Sequence, residues 1–199
     1  MGYHRAGFDV VGVDINPQPH YPFEFIQGDA LDVLSCWDFH DGACWADIAA
    51  IHASPPCQAY SVLAQSHRNA GKVYLDLLGP TRKLLEETGL PWVIENVPNA
   101  PMRADYILCG SMFNMNVWRH RQFECSWRPS DSSPACAHSG RPVVVSGNNH
   151  SGGFTAAQIK DAMKMPWAKT RYEVRQAIPP AYTEWIGERL LPMTQTALP

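Results

Sequence analysis

The chain has 199 residues, 45% hydrophobic and 18% charged, which is enough apolar material for one full core with an appendage and excludes a disordered tail. No apolar run reaches membrane-spanning length and no charged leader precedes an apolar segment with a small-residue cleavage site, so a soluble cytoplasmic protein with no membrane partner is expected. The formal net charge of −3 gives no molecule-wide field that attracts phosphate; nucleic-acid contact would need a local basic cluster, for which Arg119, His120, Arg121 and Arg128 are the candidates.

In chain order, Met1–Gly7 reads as the end of a helix with a glycine stop, followed by a strand over Phe8–Asp14. Asp14 at a strand's carboxyl end is either a turn residue or an acceptor for a ribose diol. A second strand is expected over Phe23–Ile26, then Gly28, Asp29 and Ala30, with a helix over Leu31–Cys36 that Asp29 would cap. Six cysteines at irregular spacings predict reduced thiols.

Asp47–His52 is short, apolar and strand-like, and the string A-S-P-P-C-Q-A-Y-S at Ala53–Ser61 stops it abruptly. Two prolines fix consecutive φ angles, so Cys57 leaves the strand end with little backbone freedom. It is either a small buried hydrophobe or a nucleophile, and the second role needs a nearby cation such as Arg119 or Arg121. Ala59–Lys72 reads as a mobile polar loop, and Val73–Thr88 as an amphipathic helix interrupted by Pro80.

Trp92–Ile94 reads as a buried strand that runs into Glu95, Asn96 and Val97. A carboxylate in that position is costly unless paired or used. In an α/β sheet ligands bind beyond the carboxyl ends of the strands, which is where Cys57 and Glu95 would both sit. Ala104–Leu108 is another strand, followed by a glycine turn at Cys109–Met115. Trp118–Glu124 places Arg119 and Arg121 on one face of a further strand, where they need anionic or carbonyl partners. Cys125–Asn149 is irregular, with one short strand at Val143–Val145, and Ser146–Phe154 reads as a flexible loop. Cys125, Cys136 and His138, with His150 or Cys109 as a fourth, are the candidate zinc set, against the simpler expectation of no metal. Thr155 caps a helix over Ala156–Met163, Trp167 and Tyr172 read as anchors, and a last helix starts near Pro180 with Tyr182, Trp185 and Ile186 on its faces.

The proline-cysteine string at Pro55–Cys57, the glutamate-asparagine-valine string at Glu95–Val97, the Cys109–Met115 linker, the arginine pair and the closing segment around Pro180 occur in an order that resembles the DNA cytosine-5 methyltransferases, in a short, phage-type form. Val117 stands where that family has a glutamine in its arginine motif. The resemblance implies a Rossmann-like α/β sheet that binds S-adenosylmethionine, with a catalytic domain over 1–124, a small target-recognition insertion over 125–154 and a returning segment over 155–199. It also implies that the family's first strand and glycine-rich loop would precede Met1. By the same resemblance Cys57, Glu95, Arg119 and Arg121 are catalytic, and Asp14, Ile15, Asp29, Ala30, Pro55 and Gln176 hold the cofactor. Pro56, Gln58, Ser61, Asn96 and Val97 would contact the substrate. The implied setting is a bacterial or phage-infected cytoplasm, with double-stranded DNA as partner, a cognate restriction endonuclease as a further one, and a monomeric enzyme. Two other readings fit the same residues: modification of a free pyrimidine nucleotide or another nucleic acid, and a non-catalytic DNA-binding relative.

Overall fold

In the computed structural model, which describes residues 1–35, 48–145 and 153–195, the chain is a mixed α/β protein. Helix α1 (Gly2–Arg5) leads into the parallel pair β1 (Val11–Asp14) and β2 (Glu24–Gln27), followed by α2 (Ala30–Ser35). Strand β3 (Ile51–Ala53), 3-10 turns at Cys57–Ala59 and Val62–Ala64, α3 (Gln65–Asn69) and α4 (Leu78–Glu87) come next. Strands β4 (Trp92–Asn96), β5 (Tyr106–Leu108) and β6 (Arg121–Cys125) precede α5 (Ala156–Ala162), α6 (Arg171–Gln176) and α7 (Pro180–Gln195).

The second sheet has the order β3-β4-β6-β5; β3 and β4 are parallel, and β6 runs antiparallel to both of its neighbours. Strand β4 is buried on both faces, and its alternation divides the core. Val93 packs with Tyr106, Leu108 and Phe123 beneath α7, whose Tyr182, Ile186 and Leu190 recur every fourth residue as one apolar stripe. Trp92 and Ile94 point the other way, onto Leu78 and Leu85 of α4. Each such side chain contributes about 1.5–3 kcal/mol through burial. A third cluster, including Val117, Ile159, Met163 and Val174, seats α5 and α6.

Helices α1 and α7 meet through glycine. A Cβ on Gly187 would lie 2.7 Å from Ala6 Cβ, and one on Gly2 would collide with Thr183 and the Pro180 carbonyl. The close approach carries Tyr3 into the core beside Phe8.

Segment 126–145 has no strand or helix, so Val143–Val145 is not the expected strand; Val143 instead donates its N–H to the Asn116 carbonyl at 2.8 Å. The segment runs along the free edge of β5. Ser133 Oγ accepts from the Ile107 N–H at 3.1 Å, and Asp131 accepts from Tyr106 at 2.7 Å and from Arg189 at 2.7 and 2.9 Å. Covering an exposed edge in this way blocks pairing with another chain.

Other expectations also need correction. Val73–Leu77 is not helical, and Val73 and Leu75 are exposed; α4 begins at Leu78, so Pro80 falls in the first turn, where no backbone N–H has a helical partner to lose. The expected mobile loop after Cys57 holds two 3-10 turns and α3. Arg68 clamps it by donating to the carbonyls of Gln58 at 2.7 Å and Ser61 at 2.9 Å. Tyr172 is exposed and anchors nothing, whereas Trp167 packs on the third cluster. Asp47, Cys36, His150 and most of the Ser146–Phe154 loop lie outside the described residues. No helix among the described residues is long and apolar enough to cross a membrane.

Candidate active site

Because β3 and β4 are parallel and in register, Ala53 opposite Ile94, their carboxyl ends open on the same edge of the sheet. From that edge Pro55 and Pro56 lead into the turn that starts at Cys57, whose carbonyl accepts from the Tyr60 and Ser61 N–H groups at 3.0 and 2.8 Å. Asn96, 1% exposed at the end of β4, donates from Nδ2 to the Pro55 carbonyl at 3.0 Å, and its Oδ1 accepts from the Val97 N–H. One amide therefore pins the cysteine turn to the strand that carries Glu95. Cys57 is half-buried with a free thiol, while Pro56 and Gln58 are exposed. Ser61 caps the next turn, its Oγ accepting from the Leu63 N–H.

Glu95 is only 6% exposed, and Arg121 Nε donates to its Oε1 at 2.8 Å. Burial raises the carboxyl pKa above the ordinary range, against the opposing pull of Arg121, a Ser54 hydrogen bond and Arg119. Arg121 also donates to the His120 carbonyl at 2.7 Å. Arg119 lies before β6 rather than on it, so the two arginines do not share a strand face as expected, yet both have the carboxylate or carbonyl partners their burial demands. Arg119 donates to the Arg175 carbonyl at 2.6 Å, its own carbonyl accepts from Tyr182 at 2.7 Å, and its buried Nε has no hydrogen-bond partner. Burial first, and Arg121 second, lower its pKa to about 10, with Glu95, Tyr182 and Cys57 acting in the opposite sense, so it remains cationic at neutral pH. Cys57, Glu95, Arg119 and Arg121 thus interact in one neighbourhood. Arg128 is exposed beyond the other end of β6 and takes no part.

A hydrogen-bonded chain feeds Glu95 from the far side. Tyr3 Oη lies 2.7 Å from His52 Nδ1, His52 Nε2 lies 3.0 Å from Ser54 Oγ, and Ser54 bonds Glu95. An ionised Glu95 can only accept, so Ser54 donates to it, His52 donates from Nε2 and Tyr3 donates to Nδ1. Burial lowers the His52 pKa to about 4, so the ring stays neutral in the native state. An unfolded histidine takes a proton near pH 6.5, so the stability that neutral His52 contributes is complete above pH 6.5 and is lost as pH falls towards 4. The loss is on the order of 3 kcal/mol over that window. Glu95, with a raised pKa, acts in the opposite sense, so a comparison isolates the histidine: in urea titrations from pH 7 to 4, His52→Asn is expected to lose less stability on acidification than the wild type.

Of the candidate cofactor residues, Asp14, Ile15, Asp29 and Ala30 lie just beyond the carboxyl ends of β1 and β2, whereas Pro55 follows β3 in the cysteine turn. Asp14 Oδ1 accepts from the Asn16 N–H at 2.8 Å and its Oδ2 from the Gln18 amide at 3.2 Å, a turn-forming role. Asp29 Oδ1 caps α2 through the Leu31 N–H at 2.8 Å, as expected, and Ala30 begins that helix. Ile15, next to Asp14, is 63% exposed. Gln176 ends α6 and is exposed; Glu173 of the same helix bonds His20 at 3.1 Å, which holds α6 against the segment after β1. The open hollow lined by Gly89, Trp92, Arg103, Cys125 and Ser126 is at the amino end of β4 and contains none of the candidate catalytic, cofactor or substrate residues.

Of the proposed zinc set, Cys136 and His138 come together with Cys109, but Cys125 is buried in the core of β6 and the other member is His120. Sequence reasoning also missed the roles of Tyr3, His52 and Ser54. A histidine inside an apolar strand, which needs a polar partner, was the available signal. No family model matches the chain, and no match is found among the curated proteins compared.

Proposed function

We propose that the protein is a DNA cytosine-5 methyltransferase with a Rossmann-like catalytic sheet. The observation that carries this reading is the tie from Asn96 to Pro55, which holds a half-buried cysteine turn next to a buried Glu95–Arg121 pair at one sheet edge. Such a pairing of thiol and carboxyl suits a flat ring attacked from one side and protonated at its edge. Cys57 as thiolate adds to C6 of cytosine, while Glu95, whose raised pKa favours the acid form, delivers a proton or hydrogen bond at N3. The ring becomes an enamine, nucleophilic at C5. Once C5 has bonded to an electrophile and become tetrahedral, loss of the C5 proton with cleavage of the carbon–sulfur bond restores the ring and the thiolate. Arg119 and Arg121 keep positive charge beside the base carbonyl, and the unpartnered Nε of Arg119 is a donor in reserve. A cytosine stacked in a duplex cannot reach Cys57, so the base must be rotated out.

The donor set beyond β1 and β2 fits an adenosine: Asp14 for the ribose diol, its Oδ2 engaged by the Gln18 side chain alone, Asp29 and Ala30 for the adenine edge, and exposed Ile15 for its face. S-adenosylmethionine, when bound, supplies an electrophilic methyl group.

The test uses DNA tritiated at cytosine C5. Addition at C6, protonation of the enamine at C5 by water and elimination release tritium without any cofactor. Release that disappears in Cys57→Ala, with transfer of label from S-adenosylmethionine to DNA, supports the proposal. Label only in a free pyrimidine nucleotide moves the substrate to the nucleotide reading, and tight DNA binding with neither reaction overturns the enzyme assignment. Asn96→Ala is expected to leave the fold intact and lower the release rate about 10- to 100-fold, because misplacing a reacting group by about 1 Å costs that much.

A further inference from the structure

Four side chains from three separate parts of the chain converge beside β6. Cys109 follows β5, His120 precedes β6, and Cys136 and His138 come from the segment that covers the β5 edge; their ligand atoms all lie within 4.8 Å of one another, and no other such group of three or more occurs among the described residues. His138 Nε2 is 3.2 Å from Cys109 Sγ and 3.1 Å from Cys136 Sγ, and His120 Nε2 is 3.5 Å from Cys136 Sγ. Zinc bonds of about 2.3 Å to sulfur and about 2.0–2.1 Å to nitrogen, at tetrahedral angles, require sulfur–nitrogen separations of about 3.5 Å. The longest of these distances, 3.5 Å, meets that value and the others, 3.1 and 3.2 Å, fall a little short of it, so small side-chain rotations complete the geometry.

The surroundings are arranged as for ligands. The His138 ring stacks on Trp118 at 4.2 Å with planes 8° apart, which fixes the direction of Nε2. Ser111 Oγ lies 3.4 Å from each sulfur, placed to donate to a thiolate. Cys109 is buried, while Cys136 and His138 are exposed and accessible to an ion.

We propose that Cys109, His120, Cys136 and His138 form a structural zinc site. Two thiols lose their protons on binding and two neutral imidazoles complete the set, so the closed site carries no net charge. The ion would tie the irregular segment to the start of β6, where His120 sits between Arg119 and Arg121. This rests on the four ligands alone and not on the reaction proposed above, so either can fail without the other.

The experiment measures zinc in the purified full-length protein by mass spectrometry and replaces it with cobalt. One equivalent of zinc is expected, falling at least tenfold in Cys136→Ser and in His138→Ala, while Cys125→Ser and Cys57→Ala keep it. The cobalt form should show the visible bands of tetrahedral cobalt and a near-ultraviolet thiolate band that falls to half or less in Cys136→Ser. The wild-type cobalt titration depends on no variant. Protein that holds no zinc and takes up no cobalt, a cobalt spectrum unchanged by Cys136→Ser, or a Cys109–Cys136 disulfide in the isolated protein overturns the site.

Discussion

Cys57→Ala is expected to suppress tritium release and methyl transfer by a factor on the order of 10⁴ or more, the size of loss seen when a covalent nucleophile is removed. Its stability should stay within about 1 kcal/mol of the wild type, since the side chain is half-buried and the turn is held by backbone bonds and by Asn96, not by the sulfur. Cys57→Ser should be nearly as inactive, because a hydroxyl is a far weaker nucleophile than a thiolate towards C6. Stability is read from urea midpoints and activity from tritium release on the same samples. Undiminished release from the alanine variant would remove Cys57 from the mechanism.

Arg121→Met is expected to have the largest effect on stability. It strands a carboxyl that is 6% exposed, and loss of one partner from a buried pair costs about 3–5 kcal/mol, a fall of roughly 6–20 °C in Tm for a chain of this size. Part of the deficit should disappear as pH is lowered, because protonating Glu95 removes the unpaired charge. Adding Glu95→Gln in the same chain should recover most of the lost stability without restoring activity. Glu95→Gln alone is expected to slow release by about 10²–10⁴ through loss of the N3 proton donor. Calorimetry of the two single variants and the double variant gives the coupling, and a double variant no more stable than Arg121→Met shows that the pair does not hold the site together.

Local features were legible in the sequence because local chemistry sets them. Thr155 caps α5, Asp29 caps α2, and Tyr182 and Ile186 lie on the buried face of α7 with Trp185 packed against the same core. The carboxyl end of β4 was legible too, since a glutamate closing an apolar strand signals a partner. What escaped depends on which distant segments meet. Arg119 finds a carbonyl 56 residues away, a bond that alternation along a strand does not encode. Cys109, His120, Cys136 and His138 lie at spacings that match no finger, because loops and a sheet edge bring them together instead of one hairpin. Pro80 was misread because a proline that breaks a helix and one that starts a helix look alike until the first turn is located.

The glycine contact between α1 and α7 makes neighbours of the first and last described helices. Tyr3, which opens the hydrogen-bonded chain to Glu95, is placed both by that contact and by its 2.7 Å bond to His52. Mechanical load on either helix, from a fused tag or a truncation of α7, is therefore transmitted to the hydrogen-bonded chain that ends at the buried Glu95.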